Sequence, residues 1–114
     1  MDDCLFCKIA ERKIPAKIVH ADEDVVAFED INPQAPVHLL VIPRKHVTSL
    51  NEITDEHRTM LGNLLVASRK LARARGIDAT GYRVVFNTLA GAGQSVFHIH
   101  LHLLGGRTFS WPPG

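Results

Sequence analysis

Apolar residues recur along this chain with two different periods. Leu5, Phe6, Ile9 and Ala10 sit at helical spacing, which predicts a short helix over residues 4–11. Ile14-Pro15 ends it, because proline drives the residue before it into extended conformations. Two strands are predicted next, Lys17–Ala21 and Val25–Glu29, joined by the acidic turn Asp22-Glu23-Asp24. The connection from Asp30 to Pro36 holds two prolines and the turn formers Asp30 and Asn32. Val37–Ile42 is apolar apart from His38, as a central strand would be, and Pro43 stops it. A long helix follows. Thr54 is placed to cap it, and Asp55 and Glu56 suit its positive end. Met60, Leu61, Leu64, Leu65, Ser68, Leu71 and Ala72 follow at spacings of three and four, and Gly76 supplies the stop. Tyr82–Asn87 is the next predicted strand. A small-residue loop over residues 90–95 then leads into a last one, in which Phe97 to Leu104 alternate aliphatic and histidine. Most strand connections are too short for parallel crossovers. The predicted fold class is therefore α+β: a five-stranded, mainly antiparallel sheet with one long and one short helix, forming a single domain over residues 1–114.

Composition narrows the partners. The 114 residues suit one domain, and 46% hydrophobic residues are enough for one core. A formal net charge of +1 indicates neither a nucleic-acid surface nor an anionic membrane as partner. The cations Arg69, Lys70, Arg73 and Arg75 are explained by a solvated helix end. No apolar run approaches a membrane span, and Met1-Asp2-Asp3-Cys4 is not a secretory signal, so a cytoplasmic protein is expected. In that reducing setting the only cysteines, Cys4 and Cys7 as Cys-x-x-Cys, suggest a metal site or a redox pair rather than a structural disulfide.

The chemistry concentrates in His98, His100 and His102, three of the seven histidines, placed at every second residue between Ile99, Leu101 and Leu103. On a strand this spacing lines one face with imidazoles about 7 Å apart. Leaving three buried imidazoles without a task would strand many donors and acceptors. Two functional readings follow: two ligands offered to one metal, or a nucleophilic imidazole tuned by its neighbours. The loop Gly91 to Ser95 enters this strand directly, and its backbone amides with Gln94 and Ser95 could hold an anion beside the histidines. That pairing suits phosphoryl or nucleotidyl transfer.

At these residues the chain resembles a known family. His98-Ile99-His100-Leu101-His102-Leu103-Leu104 is similar to the signature of the histidine triad (HIT) nucleotide-binding superfamily. Ile14-Pro15-Ala16-Lys17, Asn32-Pro33-Gln34-Ala35-Pro36, Gly81-Tyr82-Arg83, Gly93-Gln94-Ser95-Val96, Leu104-Gly105-Gly106-Arg107 and Trp111-Pro112-Pro113-Gly114 look like its Hint branch. The resemblance implies a homodimer, with the sheet extended across it, that hydrolyses the P–N bond of purine nucleoside 5′-phosphoramidates. His100 would be the nucleophile that forms a nucleotidyl-histidine intermediate, His102 would sit on the phosphate and serve the leaving amine, and His38 would neighbour the triad. Asn87, Gly93, Gln94 and Ser95 match phosphate-binding positions, Asp30 the acid at the ribose hydroxyls, and Phe6, Ile9, Ile14, Phe28 and Ile31 the walls around the base. The Trp111-Pro112-Pro113 tail would reach toward a partner's site.

Cys4-x-x-Cys7 departs from many Hint proteins and looks like the zinc-binding HIT subset, which implies a structural Zn2+ held by Cys4, Cys7, His46 and His98. Two other classes stay open: a nucleotide-binding scaffold with little turnover, and a zinc protein using His98, His100 and His102 together.

Overall fold

The computed structural model describes residues 3–114; Met1 and Asp2, which entered the reading of the N-terminus, lie outside them. The elements are α1 (Leu5–Ala10), β1 (Ile18–Ala21), β2 (Val25–Glu29), β3 (Val37–Pro43), α2 (Arg58–Ala74), β4 (Tyr82–Val85) and β5 (Leu101–Gly105). The strands form one sheet in the order β1-β2-β3-β5-β4, with every neighbouring pair antiparallel. This is the expected α+β architecture.

The two apolar periods meet in the two faces of the sheet. On one face Leu39, Val41, Leu101 and Leu103 pack under Leu64, Ala67 and Leu71 of α2. On the other, Val26, Phe28, Leu40 and Ile42 pack against Phe6, Ile9 and Ala10 of α1. Register assigns the histidines to this second face: His38 stands opposite Leu104, and Leu40 opposite His102. α2 thus seals the back of the sheet, while α1 covers only part of the front and leaves room for a site.

The start of α2 differs from expectation in detail, while its end is as expected. Thr54 caps a short 3-10 turn, Asp55–His57, that precedes α2, and its N–H donates to His57 Nδ1 at 2.9 Å. Beyond Ala74, Gly76 takes φ +71°, a left-handed conformation that costs glycine little, and returns Ile77 to the core. Among the described residues no helix is long and apolar enough to cross a membrane.

The histidine stretch departs further. A strand from Phe97 was expected, but ladder pairing begins only at Leu101. β3 ends at Pro43, which has no N–H for a ladder, and the Pro43 carbonyl is taken by the His98 ring at 2.8 Å. The chain before Leu101 instead runs beside the segment after β3, where Ile99 N–H donates to Val47 O at 2.6 Å. His98 and His100 are therefore held by side chains and loop backbone, and only His102 lies in the sheet.

Gly105, at the end of β5, is one position where size decides. A Cβ built there would stand 2.5 Å from Ile77 Cδ1 and 3.0 Å from Ile77 Cβ, in the seam that closes the α2 face. Ile77 is anchored in the core and cannot swing its Cβ away. Gly105→Ala is expected to cost about 1–3 kcal/mol and to lower the melting temperature by several degrees, measured by calorimetry.

Candidate active site

On the front face, α1, β2 and the loop before β5 enclose a cavity of about 330 Å3. Phe6, Ile9, Ile14 and Phe28 form its apolar wall, and Phe6 meets Phe28 edge to face at 5.3 Å between ring centres. Asp30, Ser95, His100 and His102 form its polar end, and Ile31, wholly exposed, stands at the mouth. The structure thus brings together most of the residues expected at a nucleotide. Asn87, Gly93 and Gln94 are not on the cavity wall. Gln94 is buried, with its amide donating to Thr48 O at 2.7 Å and Val96 O at 3.1 Å while its oxygen accepts Leu89 N–H at 2.8 Å. Its side chain braces the loop that presents Ser95.

Hydrogen bonds to backbone groups fix each imidazole in one tautomer. His98 O can only accept, so His100 Nδ1, 2.8 Å away, carries the proton and Nε2 keeps a bare lone pair. Gln34 N–H can only donate, so His38 Nδ1, at 3.0 Å, is bare and Nε2 is protonated. His38 Nε2–H then donates to His102 Nδ1 at 2.9 Å, which leaves His102 with its proton on Nε2. Asp30 Oδ2 stands 3.4 Å from the same His38 nitrogen. His100 and His102, ring centres 5.0 Å apart, are therefore opposites: one offers a lone pair and the other a proton. Phe6 shields His100 edge to face at 5.0 Å.

Burial keeps these rings neutral. It holds His38 and His100 below the ordinary imidazole range against the opposing pull of Asp30. It lowers His102 to about 4, helped by His100 and His38. His98, with no exposed surface, is also lowered to about 4 by burial.

The residues that had suggested metal binding form a separate cluster behind His100. The donor atoms of Cys4, Cys7, His46 and His98 lie within 4.8 Å of one another. Cys4 caps α1, accepting Cys7 N–H on its sulfur at 3.4 Å, so the first turn of the helix places both thiols on one side. His98 Nε2–H is bound to Pro43 O, so the bare His98 Nδ1 faces Cys4 Sγ at 3.5 Å, Cys7 Sγ at 3.5 Å and His46 Nδ1 at 3.1 Å. A tetrahedral zinc requires S···N separations of about 3.6 Å, from Zn–S and Zn–N bonds of roughly 2.3 and 2.05 Å. The donor set fits such an ion. Burial and the neighbouring Cys4 push the Cys7 thiol up to about 11, so deprotonation would accompany binding. A second group, Asp30, His38 and His102, is equally compact but does not fit. The Gln34 N–H forces the His38 proton onto Nε2, the atom a metal would need.

Sequence reasoning missed the Gln34 amide and the Pro43 carbonyl. Both act through backbone groups, which any residue but proline carries in the same form, so no side-chain signal marks them.

Fold and site together describe a small α+β domain that feeds alternating histidines into a half-apolar cavity. Over residues 3–110 the chain matches the family described as "Scavenger mRNA decapping enzyme C-term binding". It is 50% identical over 113 residues to an uncharacterized HIT-like protein of Synechococcus elongatus, covering 99% of this chain and 98% of that protein. It is 46% identical over 105 residues to protein HitA of Neisseria gonorrhoeae, covering 92% and 97%. Among solved structures it superposes on a HIT family hydrolase from Legionella pneumophila with a TM-score of 0.97 and 54% identity, covering 98% of this chain and 100% of that one. The chain belongs to the histidine triad superfamily.

The depressed His102 makes the fold acid-sensitive with a defined sign. Its folded pKa, about 4, lies below the ordinary 6.5, so the unfolded chain takes up this proton first as pH falls. Stability attributable to His102 is intact above 6.5 and is lost progressively toward 4, by up to about 1.4 kcal/mol per pH unit. Urea unfolding at stepped pH should show this slope in the wild type, and His102→Gln should flatten it by close to one proton.

Proposed function

We propose that the protein hydrolyses the P–N bond of purine nucleoside 5′-phosphoramidates through a nucleotidyl-histidine intermediate on His100. The observation that carries this reading is the opposed pair of tautomers at the polar end of the cavity, with the His100 Nε2 lone pair beside the His102 Nε2 proton. His100 Nε2 attacks the α-phosphorus while the P–N bond breaks. His102 Nε2–H holds the phosphate and passes its proton to the departing amine as a proton from solvent replaces it, so that the ring is not left as an imidazolate. Water then attacks the same phosphorus and loses a proton to solvent by way of His102. The P–N bond to His100 breaks, releasing the nucleoside monophosphate and restoring both imidazoles.

The cavity suits the rest of that substrate. Phe6, Phe28, Ile9 and Ile14 offer a purine an apolar slot, with Ile31 at its mouth. Asp30, whose Oδ1 accepts Asn32 N–H at 2.8 Å, is a carboxylate within reach of a ribose diol. Ser95 lies at the phosphate end, beside the loop that holds Gly93 and Gln94. Asn87, between β4 and that loop, is assigned to the phosphate by resemblance alone. We also assign the protein to a homodimer. β4 is an open edge of the sheet, and Trp111, in the C-terminal tail, is 83% exposed.

The Cys4, Cys7, His46 and His98 site would hold a structural Zn2+. With four protein donors it has no open position, so it supplies stability and not an activated water. Elemental analysis of protein purified without chelator should find about one zinc per chain, and Cys4→Ser with Cys7→Ser should lose it and melt earlier. An absence of zinc after reconstitution under reducing conditions would return both thiols to packing.

The catalytic reading is tested on His100. His100→Asn removes the attacking lone pair while keeping a side chain of similar polarity. Hydrolysis of AMP- and GMP-amine substrates should fall by roughly three orders of magnitude or more, with AMP affinity changed little in calorimetric titration. Turnover near the wild-type rate would rule out His100 as nucleophile.

A further inference from the structure

The tautomer of His102 is set through His38 by Gln34, so whatever fixes Gln34 acts on the site from a distance. Gln34 belongs to the loop between β2 and β3, where residues 31–34 are exposed and have little burial to hold them. The turn after β5 braces this loop. Gly106 takes φ +88° and lies so close to Pro36 that a Cβ there would stand 2.9 Å from the proline Cβ. Arg107 Nε–H donates to Gln34 O at 3.0 Å. Among the described residues, apart from His38 itself, it is the one side chain from outside the loop that hydrogen-bonds residues 31–36.

Arg107 is itself held. Its Nη1 donates to Thr108 O at 3.1 Å, and its guanidinium lies 4.2 Å above the centre of the Phe109 ring. Arg83 stacks on the same ring at 5.0 Å but donates to Ser110 O, away from the loop. The hydrogen bonds form a continuous line: Arg107 to Gln34, Gln34 to His38, His38 to His102, at 3.0, 3.0 and 2.9 Å.

We propose that Arg107 is a positioning residue for the triad: it holds Gln34 so that the Gln34 amide keeps the His38 proton on Nε2 and the His102 proton on the nitrogen facing the phosphate. The catalytic half of this statement rests on the hydrolase reading above; the tautomer half does not. Removing a partner that orients a metal-binding imidazole typically costs about 10–100-fold, and a loss of that order in kcat is expected here.

The experiment uses Arg107→Met, which keeps an aliphatic stem over Phe109 and removes the donors, with Arg107→Lys as partial rescue and Arg83→Ala as the control on the same ring. Nitrogen-15 spectra of histidine-labelled protein report the tautomers without substrate. The wild type and Arg83→Ala should show His38 and His102 each as a single form protonated on Nε2. Arg107→Met should show mixed tautomers at both, and Arg107→Lys should restore part of the wild-type signal. With AMP-amine substrate, Arg107→Met should lose kcat about 10–100-fold, more than it raises KM. A folded Arg107→Met with unchanged His38 and His102 signals overturns the proposal. So does an equal change in Arg83→Ala, which would assign the effect to Phe109 stacking. Should the wild type not cleave phosphoramidates, the spectra still decide the role of Arg107, and the two readings fail separately.

Discussion

The His98 ring has no exposed surface, and three parts of the molecule converge on this residue. Its Nε2–H is bound to the end of β3 at Pro43, its Nδ1 faces the two thiols of α1 and His46, and its carbonyl holds the His100 ring. A buried imidazole without partners would cost several kcal/mol, so these contacts stand or fall together. Through them α1 is tied to the sheet at the thiols. Phe6, on that helix, then serves both as cavity wall and as the edge-on shield of His100. A short helix whose packing on the sheet comes from one apolar face could not hold this position alone; the thiol contacts to His46 and His98 at its first turn add a constraint.

The parts of the fold legible in sequence were those decided by side-chain periodicity. The spacing from Met60 to Ala72 gave α2, because one residue set faces a core, and the unbroken apolar run from Val37 gave β3, because both of its faces are buried. The alternation at residues 97–104 gave the right residues but too long a strand. Periodicity reports which side chains share a face and not whether the backbone is paired. Pro43, which lacks a donor, ends the pairing earlier. The same limit explains Gln94. An amide beside a glycine loop reads as an anion donor, yet its partners are the carbonyls of Thr48 and Val96, and backbone acceptors leave no trace in sequence. The two thiols were legible as a pair because of the Cys-x-x-Cys spacing, whereas His46 and His98 joined them only through the family resemblance.

What sequence could not show is the direction of each hydrogen bond, and at this site direction is function. For His102 a displacement to about 4 means that protonation at neutral pH would cost about 4 kcal/mol, so its neutral form dominates by about three orders of magnitude. Charge is thereby removed as a variable, and only the position of one proton on each ring remains. The two neutral tautomers differ little in intrinsic energy, so a single hydrogen bond, worth about 1 kcal/mol net, is enough to bias them and a buried one biases them strongly. Backbone groups are well suited to this, since an amide cannot accept on nitrogen and a carbonyl cannot donate. The His98 carbonyl and the Gln34 amide, opposite in kind, therefore impose opposite tautomers on His100 and His102. Desolvation fixes the charge state and the backbone fixes the tautomer. The arrangement persists only while the loop from Asp30 to Pro36 keeps its amide aimed at His38.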